Sequence, residues 1–287
     1  MGTKGFGGTK GKGTKRENSG GGFGTSSGSA GTLSKRENGG GGFGTSSSSA
    51  GTLSKNNEPS DAFSHIFLNK DPKVAKLSVA AHIDKVNLDY PGLRAVYGDP
   101  PIFEVDDVFD EATCESYIEK AEQVGHKVQS RTFNSALTGS VRTSTTWYLP
   151  YDQVPELVQA VEKLTGVPAS HFEEPQIVRY EMGQQFSWHG DSIPKSMQQD
   201  GGNRLATFIL YLNTLPSIAG GATSFKDLSI QCKPDQGKGL LFFPCYADGS
   251  ADDRTFHCGQ IAMETKWIAQ IWIHERPCHS PTAFDTR

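Results

Sequence analysis

The sequence predicts an α+β fold, with supporting N-terminal helices followed by a double-stranded β-helix, or jelly roll. Apolar residues recur at helical spacing twice before residue 170, and from Pro175 onward the pattern changes to short β-rich runs separated by Gly, Pro, Asn and Asp. Ordinary globular composition begins only at about Asp61, which leaves over two hundred residues to bury a core.

Each element has a local reason. A helix is expected over residues 110–125, where Asp110 suits the N-cap, Tyr117, Ile118, Ala121 and Val124 share a face, and Gly125 ends the pattern. A second is expected over 152–166, with Leu157, Val158, Val161 and Leu164 on one side. Strands are expected at residues 176–180, 204–212, 238–243 and 266–273.

The start of the chain is of another kind. KRENSGGGFGTSSGSAGTLS from Lys15 recurs as KRENGGGGFGTSSSSAGTLS from Lys35. Such composition cannot bury enough apolar surface to offset the entropy of ordering its backbone, so residues 1–60 read as a disordered low-complexity tail. Phe23, Leu33, Phe43 and Leu53 are spaced along it as candidate contacts for a partner. Residues 61–100 then read as a linker or extension, and 101–287 as the folded domain.

Charge and cysteine usage exclude several classes. Residues 1–58 carry eight Lys/Arg against three Asp/Glu, whereas the rest carries 20 against 29. An acidic domain behind a mildly basic tail argues against nucleic-acid binding. Five scattered cysteines without a CxxC pair indicate neither a disulfide framework nor a zinc site. No apolar run approaches the roughly 18–20 residues of a membrane span, and no signal-like segment opens the chain, so a soluble, intracellular protein is expected.

His189, Gly190 and Asp191 put two ligand-type side chains two positions apart, where extended backbone projects both to one side. Alone, such a triplet means little. His257 adds a second imidazole from another probable strand, and two imidazoles with one carboxylate leave open positions on a metal, the arrangement associated with non-haem Fe(II) oxygenases. Two open positions suit the keto and carboxylate oxygens of 2-oxoglutarate, and a third suits O2. The far carboxylate of that co-substrate then needs a buried cation. Lys266 is the candidate, because an unpaired ammonium between Thr265 and Trp267 at the head of an apolar run would be costly.

Over roughly residues 103–275 the sequence resembles the prolyl 4-hydroxylases, particularly the plant and algal type. The resemblance rests on VRTSTTW, IVRYEMGQQFSWHGD, NRLATFILYLN, GGATSF, KGLLFF and KWIAQIWIHE, in the family's order and approximate spacing. It implies that His189, Asp191 and His257 hold iron and form the catalytic centre, and that Lys266, Tyr180 and Thr223 bind 2-oxoglutarate. It further implies ascorbate as reductant, and Arg142, Arg204, Trp272 and His274 beside a groove for a proline-containing peptide in polyproline II conformation. Loops 130–144 and 192–203 are expected to cover that peptide. The implied reaction is hydroxylation of peptidyl proline to 4-hydroxyproline with release of succinate and CO2. The alternatives are the same chemistry on another side chain or a small molecule, and a jelly-roll binding module without turnover. Two departures stand out: Gly190 lies where relatives often carry a bulky aromatic residue, and His257 is slightly closer to Lys266 than is usual. Many relatives enter the secretory pathway behind a signal or anchor, which this sequence does not display.

Overall fold

A computed structural model of the chain describes residues 84–130, 132, 141–199 and 201–278; the expected tail and most of loop 130–144 lie outside them. Two antiparallel sheets form the body of the described part. The larger has eight strands in the order β1 (Leu93–Gly98), β2 (Pro101–Val105), β10 (Gly239–Phe242), β7 (Arg204–Tyr211), β12 (Lys266–His274), β5 (Gln176–Tyr180), β4 (Thr145–Tyr148) and β3 (His126–Gln129). The smaller runs β6 (Phe186–His189), β11 (His257–Gly259), β8 (Thr223–Phe225) and β9 (Ile230–Cys232). Strands β5 to β12 pass between the two sheets in the manner of a jelly roll.

The pleat sorts the side chains of the large sheet. Ala206, Phe208 and Leu210 on β7, Leu241 on β10, and Trp267, Ala269, Ile271 and Ile273 on β12 enter one core together with the two helices. Ile209, Tyr211, Leu240, Phe242, Val178 and Ile268 face the small sheet and pack with Phe186, Phe225 and Cys232. The four anticipated strands match β5, β7, β10 and β12 within a residue at either end.

Helix α1 (Glu111–Val124) begins where the pattern expects it, with the Asp110 carboxylate accepting a 2.9 Å hydrogen bond from the Thr113 amide. Helix α2 (Pro155–Thr165) is shorter than expected. Pro155 fixes the first helical position and disfavours helical backbone at Val154, so residues 151–153 form a separate 3-10 turn. At its other end Gly166 adopts φ 67° and closes the helix through its amide to Glu162 O at 2.9 Å.

Strands β1 to β4 precede β5, so the order is not simply helices followed by strands. Leu93–Gly98, within the stretch read as an extension, is an edge strand of the large sheet paired to β2. All five cysteines are free. Among the described residues no helix is long and apolar enough to cross a membrane.

Leu241 is fully buried between β2 and β7 on the helix-facing side. Leu241→Ala is expected to lower the unfolding free energy by about 2–5 kcal/mol. Urea unfolding checks this, and a loss well under 1 kcal/mol would contradict the packing described.

Candidate metal centre and its cavity

His189 ends β6 and His257 opens β11, and the two residues are direct partners in the small sheet. That pairing brings residues 68 positions apart in the chain to a ring separation of 4.2 Å. Asp191 follows β6, with its Oδ1 3.5 Å from His189 Nε2 and its Oδ2 3.8 Å from His257 Nε2. All the candidate ligand atoms lie within 4.8 Å of one another.

Hydrogen bonds behind the rings fix which nitrogen faces inward. His189 Nδ1 lies 2.7 Å from Ser187 O and His257 Nδ1 lies 3.0 Å from Thr255 O. A carbonyl only accepts, so each Nδ1 carries the proton and each Nε2 presents a lone pair to the shared centre. Burial keeps His189 neutral, with its pKa brought down to about 3. Burial alone would raise the Asp191 carboxyl, but His257, His189, Arg204 and the Thr207 hydroxyl bring it down to about 2. Thr207 Oγ1 donates to Asp191 Oδ2 at 2.7 Å, which ties the carboxylate to the large sheet. Two imidazoles with their Nε2 atoms turned to one centre and an ionised carboxylate, each oriented by a second partner, form a donor set suited to one divalent ion. Aromatic rings enclose it: Phe186 stacks on His189 at 3.4 Å, and Phe242 packs against His257 at 4.7 Å.

These three residues line one cavity with Lys266, Tyr180, Thr223 and Trp272; it has about 360 Å³ of empty space, part of it open to solvent. Lys266 is buried and donates from Nζ to Gly221 O at 2.8 Å. Among the described residues no carboxylate forms an ion pair with it. Burial lowers its pKa to about 8, and the face of Tyr180, 4.5 Å away, offers it partial compensation. Gly221 adopts φ +72°, and a Cβ there would come within 2.8 Å of Leu215, which accounts for a glycine beside the ammonium. Thr223 Oγ1 lines the cavity and lies 2.9 Å from Tyr211 OH, whose one proton is shared between that oxygen and Cys232 O at 3.1 Å.

The remaining anticipated residues have different settings. Trp272 lines the cavity, and its indole N–H makes no hydrogen bond in the structure. Arg142 is buried with its guanidinium 4.8 Å from the Phe186 ring and 5.9 Å from that of Trp272. Arg204 and His274, expected beside the peptide groove and near its mouth, are not among the residues lining this cavity and turn to Glu173. Arg204 grips that carboxylate twice, at 2.7 and 3.0 Å, and His274 Nε2 lies 2.9 Å from the same group. A buried guanidinium requires such a partner. Arg204 also stacks at 3.6 Å on the Trp272 ring and reaches Asp191 O at 3.3 Å, so it braces the site from behind. Of the two expected covers, 192–203 is pinned where Asn203 Oδ1 accepts from the Ile193 amide at 2.7 Å.

Thr207, Glu173, Tyr211 and Gln270 were not singled out from the sequence. A signal was present for three of them: Thr207, Tyr211 and Gln270 are polar-bearing positions on the cavity-facing side of otherwise apolar strands. Glu173 precedes β5 in a loop and carries no pattern of its own.

Residues 175–274 match the family described as the 2OG-Fe(II) oxygenase superfamily. Prolyl 4-hydroxylase subunit alpha-1 of Bos taurus is 27% identical over 191 residues, covering 62% of this chain and 35% of the relative. Probable prolyl 4-hydroxylase 9 of Arabidopsis thaliana is 29% identical over 133 residues, covering 40% of this chain and 46% of the relative. The chain thus spans less than half the length of either. Among solved structures, a prolyl hydroxylase from Trichoplax adhaerens, in complex with a peptide fragment of the hypoxia inducible factor oxygen degradation domain, is similar with TM-score 0.50 and 13% identity. It covers 72% of this chain and 94% of that one, a likeness of fold.

The Thr207 hydroxyl gives a direct test of the centre. Thr207→Val keeps the shape but removes the hydrogen bond to Asp191, and is expected to weaken divalent-metal binding about 10–100-fold. Titration with Mn(II) reads this, and unchanged affinity would separate Asp191 from the ion.

Proposed function

We propose that this chain, which carries a 2OG-Fe(II) oxygenase domain of the prolyl 4-hydroxylase type, hydroxylates peptidyl proline to 4-hydroxyproline. The reaction takes Fe(II), 2-oxoglutarate and O2, uses ascorbate as reductant, and releases succinate and CO2. The observation that carries the reading is a buried ammonium, with no carboxylate partner among the described residues, in the same cavity as two inward-facing imidazoles and an aspartate. That cavity has a cation for a dicarboxylate at one end and donors for a metal at the other.

In this reading His189, Asp191 and His257 hold Fe(II), which with 2-oxoglutarate supplies the activation of dioxygen when bound. The chain's own residues bind, orient and shield. Lys266 pairs with the far carboxylate of 2-oxoglutarate, and the Thr223 hydroxyl donates to the same group. Tyr180 lies against the ammonium and walls that end. Trp272 offers a flat surface to a proline ring and an indole N–H to a peptide carbonyl, which polyproline II backbone leaves unbonded. Arg142 stands beside it. Phe186 and Phe242 keep water from the ligand rings.

The experiment that tests the function is mass spectrometry of proline-containing peptides after incubation with Fe(II), ascorbate and 2-oxoglutarate. One added oxygen on proline, lost in His189→Ala and in His257→Ala, is expected. Succinate formation with oxygen added to another residue or to a small molecule would move the substrate class and keep the chemistry. Oxygen consumption absent under every condition would leave a binding module.

The lysine gives a pH signature. The free protein loses the Lys266 proton as pH rises through about 8, while a bound dicarboxylate requires the charged form. Affinity for 2-oxoglutarate is therefore expected to be highest below that pH and to fall towards tenfold per pH unit above it. Calorimetric titrations between about pH 7 and 9.5 check this, and a flat profile would remove Lys266 as the anchor.

A further inference from the structure

Lys266, Ile268, Gln270 and Trp272 follow one another on the cavity side of β12, about 6.7 Å apart along the strand. The first is the ammonium. The last pairs across to Thr207, the residue whose hydroxyl holds Asp191, so Trp272 marks the level of the metal ligands. Gln270 lies between these levels. Its cross-strand neighbours are Ile209 on β7 and Gln176 on β5. It is a buried primary amide on a floor otherwise made apolar by Ile209, Ile268 and Val178.

An amide buried among aliphatic groups costs stability unless its hydrogen-bonding groups are used. Gln270 makes one such bond, donating from Nε2 to Gln176 Oε1 at 2.9 Å. A primary amide has two N–H groups and one oxygen. If Gln270 donates, one N–H is left; if the two amides are turned so that it accepts, both are left. In either arrangement Gln176 braces the side chain, which lines the cavity, and at least one N–H is left unbonded; in the first the oxygen is left as well.

We propose that Gln270 is a positioning residue for 2-oxoglutarate, donating an N–H to the oxygens at its metal-proximal keto-acid end. This rests on the co-substrate assignment above and extends it, since Lys266, Thr223 and Tyr180 serve the opposite end. The keto and carboxylate oxygens there are acceptors only, which matches the spare donor. The spacing supplies the discrimination. Succinate lacks the keto oxygen and is one carbon shorter, so it offers Gln270 fewer acceptors at a shorter reach, whereas 2-oxoglutarate meets Lys266 and Gln270 together.

The test is competition-free calorimetry on the full chain loaded with Mn(II) and kept without oxygen, comparing 2-oxoglutarate with succinate. Gln270→Met retains the length of the side chain and removes the donor. It is expected to reduce the preference for 2-oxoglutarate over succinate about tenfold, chiefly through weaker 2-oxoglutarate binding, as for a hydrogen bond to a charged group. Gln176→Met, which removes only the brace, is expected to cost less. A preference that survives Gln270→Met, or an equal loss for both ligands, overturns the assignment, as does a larger cost from Gln176→Met. Wild-type protein with no preference for 2-oxoglutarate sinks the co-substrate assignment as well, so the two failures are told apart.

Discussion

Everything in the site depends on one buried charge, the Lys266 ammonium, held in the interior between the two sheets with no carboxylate partner among the described residues. Its contacts are a backbone carbonyl and the face of an aromatic ring, and neither replaces a carboxylate. A protein that needed only to fold would place an apolar residue at this point of β12, as it does at Ile268. The cost of desolvating the ammonium shows in its lowered pKa. That cost is stored in the free protein and relieved by an anionic ligand, so the conflict between stability and local chemistry points to where the ligand goes.

The fold makes this possible because the charge and the metal donors come from different sheets. His189 and His257 are paired in the small sheet, while Lys266 and Thr207 belong to the large one. Asp191 is shared, following β6 in the chain but bonded to Thr207 on β7. The hydrogen bond from Thr207, with that from Arg204 to Asp191 O, registers one sheet against the other at the metal level. Further from the cavity, Glu173 performs a second kind of registration. Burial alone would raise its carboxyl, but Arg204 and His274 hold its pKa low, so the ionised group fixes both side chains and, through Arg204, the Trp272 ring and the backbone of Asp191. Its carboxylate is matched by the Arg204 guanidinium, whereas among the described residues no carboxylate pairs with Lys266, which is why this cluster supports the site and the lysine is left for a ligand.

The sequence is informative where periodicity is long or chemistry is unusual. β7 and β12 are eight- and nine-residue strands, buried along their whole length, and stand out as apolar runs. Lys266 is visible because a charge at the head of such a run is improbable. β6, β8, β9 and β11 are only three or four residues long and carry no readable period, yet they hold both histidines. That the two are cross-strand partners follows from the folding of the intervening 67 residues and cannot be read from their spacing. Arg204 illustrates the opposite difficulty. Its residue type suits a peptide carbonyl, and only the position of Glu173, 31 residues earlier in the chain, shows that its guanidinium is already engaged.

The same pleat that separates core from cavity also orders the chemistry along the cavity. On β12 the odd positions Trp267, Ala269, Ile271 and Ile273 are committed to the helix-facing core, which holds the strand in register with β5 and β7. With the register fixed, the even positions are fixed too, in the sequence ammonium, aliphatic, amide and indole. A one-residue slip would bury the wrong set and turn all four away from the ligands. Packing on the far side of the sheet is thus what sets the distance between the lysine and the metal level, and substitutions in that core should act on co-substrate binding through strand register as well as through stability.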